Sequence, residues 1–204
     1  KTGGVVTATL AADSLSNLGA LTTAGTDVIT ITVNDGATDD VTAANLSTLG
    51  GKTAGVVTVS NAVDISGTAS ELTAALVTAD TLVVAGTATA NITDEATTDI
   101  DATVLSAIGA KTSGAITVTN AIDIAGTADE VTAALVTDDT LVVASSATVT
   151  ISDNPSISAL NAIAAKTDGV VTATLAADSL SNLGDLTTVG TDQITITVND
   201  GATD

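Results

Sequence analysis

The sequence holds no Phe, Tyr, Trp, Met, Cys, His or Arg, and a single Pro, in 204 residues. Each absence closes off a class. Without Cys there is neither a disulfide nor a thiolate metal site. Without His the commonest general base is missing, and neither a Cys nucleophile nor a Gly-x-Ser-x-Gly elbow replaces it. Without aromatics the middle of a wide globular core lacks its usual filler, so Val, Ile, Leu and Ala must suffice in thin layers. Four Lys against 24 Asp and Glu give a net charge of -20. That balance leaves no cationic patch for nucleic-acid phosphates or anionic lipid. No run of 18 apolar residues occurs, so membrane insertion is not expected.

What is present is aliphatic and repetitive. The apolar fraction of 45% excludes a disordered polar chain. Residues 1–39 return as residues 166–204 with four changes, Gly3 to Asp168, Ala20 to Asp185, Ala24 to Val189 and Val28 to Gln193. The four lysines all stand in one motif, Lys1-Thr-Gly-Gly, Lys52-Thr-Ala-Gly, Lys111-Thr-Ser-Gly and Lys166-Thr-Asp-Gly. Residues 1–204 therefore read as one continuous repeat array, expected to be part of a longer chain. Its units are 1–51, 52–110, 111–165 and a partial 166–204.

Within each unit, Val, Ile and Thr alternate at period two, as in Ile29-Thr-Ile-Thr-Val33 and Ile116-Thr-Val-Thr119, which predicts half-buried strands. Between them lie short helical patterns. Thr68-Ala-Ser-Glu71 and Thr127-Ala-Asp-Glu130 are capping boxes. Leu72, Ala75 and Leu76 then share a face, as do Val131, Ala134 and Leu135. Asn154-Pro155 reads as a cap followed by proline at the first helical position. Lys-Thr-x-Gly reads as a helix stop, with the lysine near the negative end of the helix dipole. The fold expected is a repeat solenoid, mainly β with short helices at one edge and about six coils per 165 residues. Tandem β-sandwich domains are the alternative.

Chemistry has few candidates. Adjacent acids at Asp39-Asp40, Asp94-Glu95 and Asp138-Asp139 sit in turn-like segments and read as solvated loop residues, so no enzyme is expected. No cofactor is required; calcium is the one candidate, with hard oxygen donors at Asp35, Asp39, Asp40, Asp94, Glu95 and Asp99. The competing reading makes Asp35 and Gly36 a turn and Asp40 the cap of the next helix. Thr-x-Thr pairs from Thr7/Thr9 to Thr195/Thr197 put hydroxyls on the outward strand faces. Such pairs suit a binding surface for ice, glycan or cell wall, or are simply good exposed strand residues.

The stretch NLSTLGGKTAGVVTVSNAVDISGTASELTAAL (residues 45–76) resembles the large repetitive surface proteins of marine and aquatic bacteria, cyanobacteria among them. The shared pattern Leu-x-x-Leu-x-x-x-Thr-x-Gly stands at Leu46 to Gly55, Leu105 to Gly114 and Leu160 to Gly169. The resemblance implies an extracellular or cell-surface location. The function expected is an extracellular structural protein forming an elongated filament, a surface layer or an adhesin stalk, with itself as partner, end to end or laterally. The alternative is a calcium-dependent or Thr-face binding module.

Overall fold

The structure is a computed structural model and describes residues 3–137, 139 and 141–201. In chain order its elements are β1 (Thr7–Thr9), α1 (Leu15–Leu18), β2 (Val28–Val33), β3 (Val41–Thr42), α2 (Ala43–Gly50), β4 (Val57–Val59), β5 (Asp64–Gly67) and α3 (Ala69–Leu72). There follow β6 (Val83–Val84), β7 (Thr89–Ile92), β8 (Asp99–Asp101), α4 (Ala102–Gly109), β9 (Ile116–Val118), β10 (Asp123–Gly126) and α5 (Ala128–Val131). The last are β11 (Val142–Val143), β12 (Thr148–Ile151), α6 (Ile157–Ala164), β13 (Val171–Thr174), α7 (Leu180–Leu183) and β14 (Gln193–Thr195). Contacts divide the chain into two units, Lys1–Asp94 with Ala107–Thr117, and Glu95–Ser106 with Val118–Asp204.

In the first unit, β1, β2, β4 and β6 form a parallel sheet in that order. The register Ile31↔Val57↔Val83 stacks inward aliphatics one strand spacing apart, while the paired Thr32↔Thr58 lie on the other face. A second parallel ladder runs through β3, β5 and β7, where Val41, Ile65 and Ala90 make the matching buried column. Over these columns lies α2, packed against α1 and α3. Its Leu46 and Leu49 are one turn apart and both buried, as the helical spacing requires. Each such side chain withdrawn from water contributes about 1.5–3 kcal/mol, which is what holds so short a helix in place.

The second unit repeats the plan. Its parallel sheet runs β8-β10-β12-β13-β14, with Ile100, Ile124, Val149 and Val171 as the inward column. Here α6 packs beside α5 and buries Leu160 and Ile163.

The molecule is therefore a mixed α/β fold of three parallel sheets, with four, five and five strands, and seven α-helices among the described residues. This corrects the expected mainly-β solenoid with helices confined to one edge. The strands are right, but the helical segments carry a full share of the core. Leu46, Leu49, Leu72, Leu105, Ile108 and Leu160 are among the largest fully buried side chains. Tandem β-sandwiches are excluded as well. A sandwich is antiparallel, whereas every pairing in the described ladders is parallel and needs a crossover between partners.

Two local expectations also change. The cap of α6 is Ser156, whose hydroxyl accepts from Ala159 N, so Pro155 precedes the cap instead of opening the helix. The cap of α2 is Thr42, two residues beyond Asp40.

Candidate functional site

Three of the six residues singled out for calcium, Asp35, Asp39 and Asp94, give their carboxylates to backbone amides. Asp35 is nearly buried, and its Oδ2 accepts from Leu15 N at 2.6 Å, the first amide of α1. Asp39 is exposed and accepts from Gly36 N at 2.6 Å, closing its own turn. Asp35 and Asp39 thus share a turn and serve different amides. Asp40 is exposed. Asp94 is half-buried and accepts from Ala69 N at 2.6 Å, the first amide of α3. Exposed Glu95 offers its carbonyl, not its carboxylate, to Thr98 N and Oγ1, at 3.2 and 2.7 Å. Asp99 lies exposed on β8, in register with Asp123 on β10, and Asp123 accepts from Thr148 Oγ1. Among the described residues no group of three or more His, Cys, Asp or Glu side chains is arranged to hold a metal ion. Asp138 of the third acidic pair, and Asp204 of the repeated Asn199–Asp204 turn, lie outside the described residues.

The Thr-x-Thr hydroxyls do face outward on many strands. Thr9 and Thr30 pair in register, as do Thr32 and Thr58, Thr150 and Thr172, and Thr174 and Thr195. The columns are short, however. Thr7 pairs with Val28, Thr58 with Val84, Thr89 with Asp64 and Thr148 with Asp123. A flat hydroxyl lattice is interrupted within two or three strands.

The constellation that does recur is the Lys-Thr-x-Gly motif, and it is a joint. Thr53 is buried, and its Oγ1 lies 2.8 Å from Ile29 N and Gly55 N, with its single proton shared between Ile29 O at 2.8 Å and Asp27 O at 3.0 Å. One side chain thus substitutes for a missing ladder bond between successive strands. Thr112 repeats this on Ala88 O and Gly114 N, and Thr167 on Ala147 O and Gly169 N. The glycine is needed because the backbones nearly touch. A Cβ on Gly55, Gly114 or Gly169 would fall inside contact distance of the carbonyls of Ile29, Ala88 and Ala147 respectively. The half-buried Lys52 extends across the same joint to the carbonyls of Gly19 and Leu21, at the end of α1. It therefore neutralises the C-terminus of the neighbouring helix, not of its own. Lys1 and Thr2, the first copy of the motif, lie outside the described residues.

A second recurring joint escaped the sequence reading. The first amide of α1, α3, α5 and α7 receives a carboxylate from 20 or 25 residues further on, namely Asp35, Asp94, Asp153 and Asp200. The signal lies in paired spacings, 20 residues for Asp35 and Asp200 and 25 for Asp94 and Asp153. Asp13 is different, being a local cap whose Oδ1 accepts from Asn17 Nδ2 and Ser14 N, both at 2.8 Å. The Asn17 donor first, and then the Ser14 amide, hold its carboxyl below the usual value.

Concavities are shallow and offer little chemistry. A hollow of about 460 Å³ in the first unit is lined by Gly3–Val6, Thr22–Ala24, Thr26 and Asp27. Its one carboxylate is already held by Val6 N and Ala24 N, at 2.8 and 3.0 Å. No helix among the described residues is long and apolar enough to cross a membrane. No protein family, curated protein or solved structure matches the chain.

Proposed function

We propose that the chain is an extracellular structural protein, a spacer or filament element at or beyond the cell surface, and not an enzyme. The observation that carries this reading is the threonine–glycine joint at Thr53, Thr112 and Thr167. Sequence invariance is spent there on bonding one repeat to the one before it. A repeated joint of buried hydrogen bonds resists sliding of one strand over the next, which is what a spacer requires. The net charge of -20 keeps such surfaces apart laterally while leaving the joints intact. The resemblance of residues 45–76 to repetitive bacterial surface proteins supports the same location. The proposed partner is the chain itself.

The test is imaging of the native protein from its source cells, with immunolabelling to place it. Long particles of constant width at the surface or in the medium are expected. Compact monodisperse monomers inside the cell overturn the reading.

A further inference from the structure

Residues 166–201 expose in one place what residues 1–36 bury in another, although the sequences differ at four positions over the whole repeat. Ile31 and Val33 are fully buried, while their counterparts Ile196 and Val198 are 44% and 52% exposed. Leu15 is 5% exposed and its counterpart Leu180 is 63%. What covers the first copy is known in detail. Lys52 reaches Gly19 O and Leu21 O, Thr53 clasps Asp27 and Ile29, and Ala54 N donates to Asp27 O at 2.8 Å. Ile31 N then donates to Val56 O at 3.0 Å, and Ser60 N to Val33 O at 3.0 Å. With Thr23 Oγ1 on Lys52 O and Asn61 Nδ2 on Asn34 O and Asp35 O, these hydrogen bonds engage positions 19, 21, 23, 27, 29, 31, 33, 34 and 35 of the first copy. The four substitutions, at 168, 185, 189 and 193, correspond to positions 3, 20, 24 and 28, and so avoid all of them. The strand that would accept the cover, β14, is the terminal strand of its sheet.

We propose that the surface formed by Gly184, Leu186, Asp192, Ile194, Ile196 and Val198 is a docking site for a parallel strand of the sequence Lys-Thr-x-Gly-Val-Val. The occupant's lysine seats on the carbonyls of Gly184 and Leu186, its threonine hydroxyl on the backbone of Asp192 and Ile194, its second valine over Ile196 and the residue two positions further on over Val198, as Val57 and Val59 cover Ile31 and Val33. Recognition is by strand addition. Backbone bonds supply the attachment, and the glycine, which alone tolerates the close approach, supplies the selectivity. The inference rests on the structural reading above for its biological sense, since it names the joint through which such elements connect. It fails or stands independently of where the protein resides.

The experiment titrates a labelled peptide of residues 51–64 into the full chain, at a chain concentration that sedimentation shows to be monomeric, and follows anisotropy. Saturable binding is expected, at least about tenfold weaker for the peptide carrying Gly55→Val. Binding is expected to be lost in a chain carrying Ile196→Asp and Val198→Asp, whose altered side chains are exposed and leave the rest of the fold intact. Amide exchange at Ile194 and Ile196 is expected to slow when the peptide is bound. Absence of saturable binding overturns the proposal, as does binding that either the Gly55→Val peptide or the Ile196→Asp/Val198→Asp chain retains.

Discussion

Two threonines in the first unit show how one residue type carries opposite consequences. Thr53 Oγ1 serves two buried amides and two carbonyls, so removing the hydroxyl strands donors that have no other partner in the ladder. Thr53→Val is expected to destabilise the fold by about 1–3 kcal/mol in denaturant titration, with Thr53→Ser recovering most of that. Thr73 Oγ1 is buried with no hydrogen-bond partner. Thr73→Val keeps the shape and removes an unsatisfied group, and should stabilise by about 0.5–1.5 kcal/mol. If both substitutions shift the midpoint in the same direction, hydrogen-bond satisfaction is not what separates the two sites. The glycines divide in the same way. A methyl on Gly114 meets the Ala88 carbonyl, whereas a methyl on Gly86 meets nothing within 4 Å. Gly114→Ala should therefore cost about 1–3 kcal/mol or more, and Gly86→Ala should gain about 0.4–1 kcal/mol by restricting the unfolded chain. Melting the two variants side by side checks the contrast.

Short helices are marginal alone, and α3 and α5 are each fastened at the start by two devices. Thr68 and Glu71 close a capping box on α3, and Thr127 with Glu130 does so on α5. Asp94 and Asp153 then reach the first amides of the same two helices from just beyond β7 and β12. Asp94→Ala is expected to cost about 1 kcal/mol, and Asp94→Asn less, because an acceptor remains while the charge facing the helix dipole is lost. Equal midpoints for all three proteins in urea would show that the carboxylate contributes nothing. The boxes were legible in the sequence because a capping box is a local pattern, complete within four residues. The carboxylate caps and the threonine joints were not, since they bond residues 20 to 29 apart whose pairing depends on register. The same limit explains the misjudged fold class. Period-two alternation was visible in the longer strands such as β2, but nothing local to Leu46 or Leu105 says that a two-turn helix will supply the core as fully as the sheet does. Nor did the pattern foretell that Thr73–Val77 and Thr132–Val136 widen into π-turns. In each, the backbone N–H and the hydroxyl of the next threonine both bond the carbonyl five residues back.

At the scale of the whole molecule the governing fact is a net charge of -20 built almost entirely from carboxylates, with no His, Cys or Tyr and four Lys. No side-chain type in the sequence has an ordinary pKa between that of a carboxylic acid, about 4, and that of lysine, about 10.4. Stability should therefore be level from about pH 6 to pH 9. Below that range two effects oppose each other. Protonation relieves the repulsion among the acids, which favours the folded state. It also removes the acceptors that fasten the helices. Asp13, whose folded carboxyl lies below its ordinary value, stabilises the fold fully above about pH 4, and that contribution is lost as pH falls through its lowered folded value. The caps are specific and short-ranged, while the repulsion is diffuse and already weakened at physiological salt, where the screening length is about 8 Å. Loss of the caps should therefore dominate at the acid end. A melting series is expected to show a plateau from pH 6 to 9 and a decline below about pH 4. At pH 7, added sodium chloride should raise the midpoint by screening the repulsion while leaving the buried joints untouched. A midpoint that falls with salt at pH 7 would place most of the stability in exposed ion pairs, and a step between pH 6 and 8 would require a titrating group that this sequence does not contain.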